Sequence, residues 1–205
     1  MNTKPINGHR VLGVCLPSED VRMFLDGRKS QFRKILRVQP EGGPTRAVRF
    51  NDESEWIWES NSGKTGIFRP YKFKCPYEIG DYLFIREPWV FNTGGGLRKV
   101  LYKADDPALQ VAWKQSTHMP LKYARPVYLE VLSVRVERIK DITLDDLEAE
   151  GLPVRGIETL DDFVFYWRQL HGSHAWVRND WVLFTTSNLS NRRIYNEQSS
   201  ISETL

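Results

Sequence analysis

The chain has 205 residues, 40% hydrophobic and 27% charged, the balance of a soluble globular protein long enough to bury a core. No apolar run approaches the roughly 20 residues that cross a bilayer, so no membrane partner is expected. Two cysteines, Cys15 and Cys75, cannot make a disulfide framework or a four-ligand zinc site, and a cytoplasmic setting is expected.

The net charge of +3 hides a polarised arrangement. Between Arg22 and Arg49 eight basic residues face two acidic ones, a window of +6. Between Lys140 and Asp162 eight acidic residues face two basic ones, a window of −6. Two explanations stay open on charge alone: the basic segment meets a phosphate backbone, or the two segments pair with each other.

In chain order, Val11 to Leu16 reads as a buried strand ended by Pro17. Ser18 caps a short helix with Glu19 and Asp20 in its first turn and Gly27 as its stop. Gln31 to Val38 reads as a strand with mixed faces. Residues 39–65, rich in Gly, Pro, Ser and Asn, read as a long excursion carrying a hairpin around Trp56-Ile57-Trp58. Gly63-Lys64-Thr65 is not a phosphate loop, because Trp58 stands where its first glycine belongs.

Tyr82 to Trp89 reads as a strong strand introduced by the turn pair Gly80-Asp81. Gly94-Gly95-Gly96 marks a loop, after which Lys99 to Lys103 pairs back. Tyr128 to Ile139 is the longest β pattern, with a slip of phase between Val131 and Leu132 that suggests a bulge bending the sheet toward closure. Thr143 and Thr159 open two helices, each with an aspartate three residues on. In the second helix Leu160, Phe163, Val164, Trp167 and Leu170 form the apolar stripe, and Gly172 ends it. Trp181 to Thr186 is the last strand, and 187–205 read as a disordered polar tail. These elements describe an α+β fold in one domain over 1–186, a small curved antiparallel sheet or barrel with short flanking helices.

Several residues are candidates for chemistry. Arg28, Lys29, Arg33 and Lys34, interleaved with Phe32, suit a base and its phosphate, or else form a surface turn with Phe32 in the core. Arg86, Glu87 and Trp89 could read the edge and face of a base, or make a structural ion pair beside a core tryptophan. His118 lies between strands, where a capping or core role is commoner than ligation, and His171 and His174 straddle Gly172. No metal site and no cofactor are expected. Glu150, at the carboxyl end of an acidic helix, is a possible general acid or base, or a solvated glutamate.

Taken together, the ordered segments resemble a known family. They are Gly27-Arg28-Lys29-Ser30-Gln31, Cys75-Pro76-Tyr77, Gly80-Asp81 through Arg86-Glu87-Pro88-Trp89, Trp113 through Pro120, Val134 through Ile139, Asp146 to Gly151, and Asn179-Asp180-Trp181-Val182. This order resembles the ASCH-domain proteins of the PUA-like superfamily, in the form found in phages and prophages, over about Leu12 to Phe184. The resemblance implies a small pseudo-barrel that binds RNA or a modified nucleoside, in the host cytoplasm if the protein is phage-encoded.

One bacterial branch of that family hydrolyses N4-acetylcytidine with a lysine, a threonine and a glutamate. By resemblance the lysine falls on Lys29 and the glutamate on Glu150, whereas the threonine falls on Phe32, which has no hydroxyl. Ser30 is the nearest hydroxyl. The leading expectation is therefore a protein binding RNA or a modified nucleoside. In it Arg28, Lys29, Arg33 and Lys34 meet phosphate, and Arg86, Glu87 and Trp89 help form a base pocket. The alternatives are an amidohydrolase acting on N4-acetylcytidine or a similar N-acyl nucleoside through Lys29, Ser30 and Glu150, and a phage accessory or morphogenesis protein that contacts a host or phage protein.

Overall fold

The computed structural model describes residues 9–37, 39, 45–50, 55–61, 68–92 and 99–190. The triple-glycine loop at 94–96 and the tail beyond Ser190 lie outside them. The chain divides into two compact units: one takes residues 1–25, 81–130 and 188–205, the other 26–80 and 131–187. The fold is α+β, and no helix among the described residues is long and apolar enough to cross a membrane.

The first unit holds β1 (Val11–Cys15), α1 (Ser18–Leu25), β6 (Tyr82–Arg86), β7 (Trp89–Asn92) and β8 (Lys99–Tyr102). β1 and β6 pair in parallel, Val11 opposite Tyr82 and Cys15 opposite Arg86. The expected strand from Tyr82 to Trp89 is two strands, interrupted at Glu87-Pro88. Pro88 has no N–H to extend a ladder, and its carbonyl instead accepts from Lys103 N at 2.9 Å. β7 and β8 pair antiparallel, as the pattern predicts. Val11, Tyr82, Phe84 and Tyr128 form a buried cluster, with Leu121 and Ala124 packed against it.

The second unit begins at Asp26. β2 (Gln31–Ile35) is shorter than the predicted strand. The excursion at 39–65 carries the expected hairpin, β3 (Thr45–Phe50) with β4 (Glu55–Asn61), and β5 (Phe68–Lys74), just beyond it, adds a third antiparallel strand. β9 (Tyr128–Arg138) starts in the first unit, where it pairs with β6, and enters the second after Glu130. The slip of phase read at Val131–Leu132 coincides with that passage, and Leu132 is 42% exposed.

β10 (Trp181–Ser190) pairs antiparallel with β2, Phe184 opposite Arg33 and Thr185 opposite Phe32. Its last four residues, 187–190, are not part of a tail as the polar pattern predicts. They continue the strand, anchored where Ser187 N donates to Ser30 O at 2.7 Å. The strand order of the main sheet is β1-β6-β9-β10-β2. Among the described residues it is open, because each edge strand has a single neighbour and β3 to β5 pair among themselves.

Both threonine caps form as predicted. Thr143 opens α2 (Leu144–Ala149) and Thr159 opens α3 (Leu160–His171), each exchanging hydrogen bonds with the aspartate three residues on. In α3 the buried positions are Phe163 and Trp167, whereas Leu160 and Leu170 of the predicted stripe are 41% and 56% exposed. Phe163 and Trp167 join Ile139, Leu147, Leu152, Val182 and Ala175, the last from α4 (Ala175–Arg178), in the core of this unit.

Candidate functional site

The basic turn after α1 is built by Gly27, whose φ of 72° suits a residue without a Cβ. Arg28 follows, exposed and paired with Asp26. Lys29 then turns inward and is only 5% exposed, its Nζ donating to the carbonyl of Glu150 at 2.9 Å. Ser30 N donates to Ala149 O at 2.8 Å, so this turn is tied to the end of α2. The structure thus brings Lys29, Ser30 and Glu150 together, Lys29 and Ser30 each through a main-chain carbonyl of the α2 end.

The Glu150 carboxylate is held by Arg33. The Arg33 side chain, 2% exposed, also pairs with Glu137 at 3.0 Å and Asp146 at 2.9 Å. Arg135 bonds to Glu137 at 2.7 Å and reaches Asp146 at 3.3 Å, with its guanidinium carbon 3.4 Å from the centre of the Phe184 ring. Gln31 Nε2 donates to Asp146 O at 2.9 Å. Burial works to raise the Asp146 pKa, but hydrogen bonds from Thr143 and the charge of Arg33 outweigh it and hold the carboxyl below its usual range. Part of the +6 segment therefore neutralises part of the −6 segment inside one unit. Lys29 and Arg33 are committed to protein partners and are not surface cations.

Strand alternation turns Phe32 and Lys34 to the opposite face from Arg33. Phe32 is 3% exposed and meets the Tyr77 ring edge-on, with centroids 6.4 Å apart. It points into the core and offers no hydroxyl where the hydrolase resemblance needs one. Lys34 stays half-buried, its Nζ 3.5 Å from the Tyr77 hydroxyl and 5.6 Å from the Phe32 ring centre. Beside them lies a pocket of about 310 Å³ lined by Lys34, Ile35, Leu36, Arg37, Pro76, Tyr77 and Leu183. Its walls are apolar and aromatic, with the cations Lys34 and Arg37 among them.

Arg86, Glu87 and Trp89 lie in the first unit. Glu87 is fully buried and held by both sides of the Arg125 fork, Nε to Oε1 at 2.5 Å and Nη2 to Oε2 at 3.2 Å. Arg125 also reaches Asp105 at 2.8 Å. Burial pushes the Glu87 carboxyl above its ordinary range despite the pull of Arg125. Burial would lower the Arg125 pKa, but pairing with Glu87 and Asp105 raises it. The Arg86 guanidinium carbon lies 5.0 Å from the centre of the Phe84 ring. Trp89 is 4% exposed, packed against Phe91 and Tyr123. Trp89 is thus a core tryptophan, and Glu87 makes a structural ion pair with Arg125, a residue outside the Arg86–Trp89 segment.

Sequence reasoning missed Arg125 and Glu137 as partners and Tyr77 with Arg37 as pocket residues. Arg37 was visible as charge, and Tyr77 and Glu137 stood in segments that carry the resemblance, but nothing local tied them or Arg125 to Lys34, Arg33 and Glu87. His118 is exposed in a 3-10 turn, and no group of His, Cys, Asp and Glu among the described residues is arranged to hold a metal ion. No protein-family model, curated protein or solved structure matches the chain.

Proposed function

We propose that this protein binds nucleic acid, RNA first, or a modified nucleotide, through the pocket between Lys34 and Tyr77. One observation carries the reading: a largely apolar pocket of about 310 Å³, roomy enough for a base, with one aromatic wall in Tyr77 and two lining cations, Lys34 and Arg37. The base would lie against Tyr77, Pro76 and Leu183, and its phosphate would meet the two cations. Exposed Arg28 is a further phosphate contact, whereas Lys29 and Arg33 shape the strand that carries Lys34. The reading includes the PUA-like, phage-type assignment implied by the motif order, and an intracellular setting.

Binding of a labelled single-stranded RNA, followed by anisotropy against salt, tests this. The affinity should fall with salt, and Lys34→Ala with Arg37→Ala should flatten the log–log slope by about 0.7 for each phosphate no longer neutralised. A DNA arm reports the preference for ribose. Absence of RNA binding in the parent at low salt, or an unchanged double variant, overturns the reading.

A second reading, contact with another protein, is favoured by the apolar side chains that the second unit turns outward. Phe165 is 66% and Val177 67% exposed, on α3 and α4. A host protein retained after nuclease treatment, and released by Phe165→Ser with Val177→Ser, would support it. Retention that vanishes with nuclease would point back to nucleic acid. Within the described residues nothing favours the amidohydrolase reading, since Phe32 fills the threonine position and the Glu150 carboxylate is paired with Arg33.

A further inference from the structure

We infer that the first unit carries its own stacking platform for single-stranded nucleic acid, made by Phe91 and Tyr123 over a Trp89 floor and served by Lys114 and Lys122. The inference rests on the nucleic-acid reading above and adds a second binding surface to it. Trp89 is buried and cannot itself meet a base. Tyr123 lies over it at 5.4 Å with 32° between planes, and Phe91 stands edge-on to both at 4.9 Å. Phe91 and Tyr123 are only half-buried, so this rigid stack reaches the surface.

The cations are placed with the rings. Lys114 Nζ lies 4.7 Å from the Trp89 ring centre and 5.1 Å from that of Phe91. Lys122 Nζ lies 4.8 Å from the Tyr123 ring centre. Both lysines are exposed. Their backbones are fixed: Trp89 and Lys114 exchange hydrogen bonds of 3.2 and 2.9 Å, and the Tyr102 hydroxyl donates to Tyr123 O at 3.0 Å.

The ammonium groups rest over these rings, and because an exposed cation–π contact is weak, each lysine can swing to a neighbouring phosphate as a base takes the ring face. From Lys99 to Arg125 five basic residues face two acidic ones, so the surrounding chain is also cationic. A protein partner fits less well, because lysine is depleted from the cores of protein interfaces.

The test measures a labelled oligouridylate and free uridine monophosphate against the parent and four variants, the Lys34→Ala, Arg37→Ala pair of the pocket among them. Tyr123→Ala should weaken oligonucleotide binding by roughly 5- to 150-fold, the usual worth of one stacked base. Tyr123→Phe should keep it. Lys114→Ala with Lys122→Ala, confined to exposed side chains, should leave the circular dichroism unchanged and lower the salt slope by about 0.7 per phosphate. A parent that binds neither probe at low salt overturns this inference together with the reading beneath it. Oligonucleotide binding that falls with Lys34→Ala and Arg37→Ala, yet is unchanged by Tyr123→Ala and by the lysine pair, overturns this inference alone. Weakening confined to the Tyr123 and lysine variants upholds the platform and overturns the pocket.

Discussion

Lys29 Nζ donates to the carbonyl oxygen of Glu150 across 121 positions of sequence. The bond places a cation at the carboxyl end of α2, where the unpaired carbonyls carry partial negative charge. It also leaves the Glu150 carboxylate for Arg33. The most basic and most acidic stretches of the chain meet there as an internal network.

The network makes Arg33 a sensitive point of the second unit, because three carboxylates share it. Arg33→Met leaves Glu137, Asp146 and Glu150 without their shared partner, each side chain at most 14% exposed. Urea unfolding should show a loss of about 3–5 kcal/mol, the cost of removing one partner from a buried ion-pair network, with Arg135 still serving Glu137 and Asp146. Adding Glu150→Gln and Asp146→Asn to Arg33→Met should recover part of it. A loss below about 1 kcal/mol would mean that water screens these groups.

Two buried carboxylates should tilt stability in opposite directions with pH. The Asp146 pKa is lowered on folding, so its contribution is present above the unfolded value of about 3.9 and is lost as pH falls through the folded value. The Glu87 pKa is raised, so its contribution is present below about 4.3 and is lost as pH rises through the folded value. Unfolding free energies from acid to neutral pH should therefore lose their acid-side decline in Asp146→Asn and their alkaline-side decline in Glu87→Gln. Parallel curves for all three proteins would contradict both assignments.

Phe32 is a core residue with a measurable weight. Phe32→Ala should cost about 3–5 kcal/mol, as truncation of a buried phenylalanine does. At roughly 2–4 °C per kcal/mol for a chain of this size, Tm should fall by about 6–20 °C. Phe32→Leu should fall between the two. Phe32→Thr should be destabilised in the same way, and its incubation with N4-acetylcytidine should release no cytidine. Release of cytidine by that variant would revive the hydrolase reading.

Gly13 is held to its size by its neighbours. A Cβ there would meet the Arg86 guanidinium and come within 2.8 Å of the Phe84 ring. Gly13→Ala should cost about 1–3 kcal/mol as overpacking. Arg86→Ala in the same chain should recover the share due to the flexible arginine, while buried Phe84 keeps the remainder. Full recovery would show that Phe84 yields freely.

Much of the fold was legible because the signals are local. The Thr143 and Thr159 caps, the Gly27 and Gly172 stops and the β7–β8 return each depend on residues a few positions apart. The hairpin of the excursion was legible, with Trp56-Ile57-Trp58 marking β4, but the sequence pattern assigned no strand to β5, which follows it. The site was less legible. Clusters at Arg28–Lys34 and Arg86–Trp89 were visible as residue types, but composition does not say which way a side chain turns.

What the sequence by itself determined is the α+β class, most helix and strand positions, and two segments of opposite charge. These follow from periodicity, capping and composition, which act within a turn or two of chain. Only the tertiary structure decided the use of the charge. Pairing of β2 with β10 and packing of α2 enclosed Lys29 and Arg33, while leaving Lys34 and Arg37 to line a pocket. A charged side chain costs too much to bury unpaired, and its partner can stand a hundred residues away. The two blocks sum to zero, so the net charge of +3 belongs to the rest of the chain, and the fold decides only how much of the blocks' own charge is paired indoors.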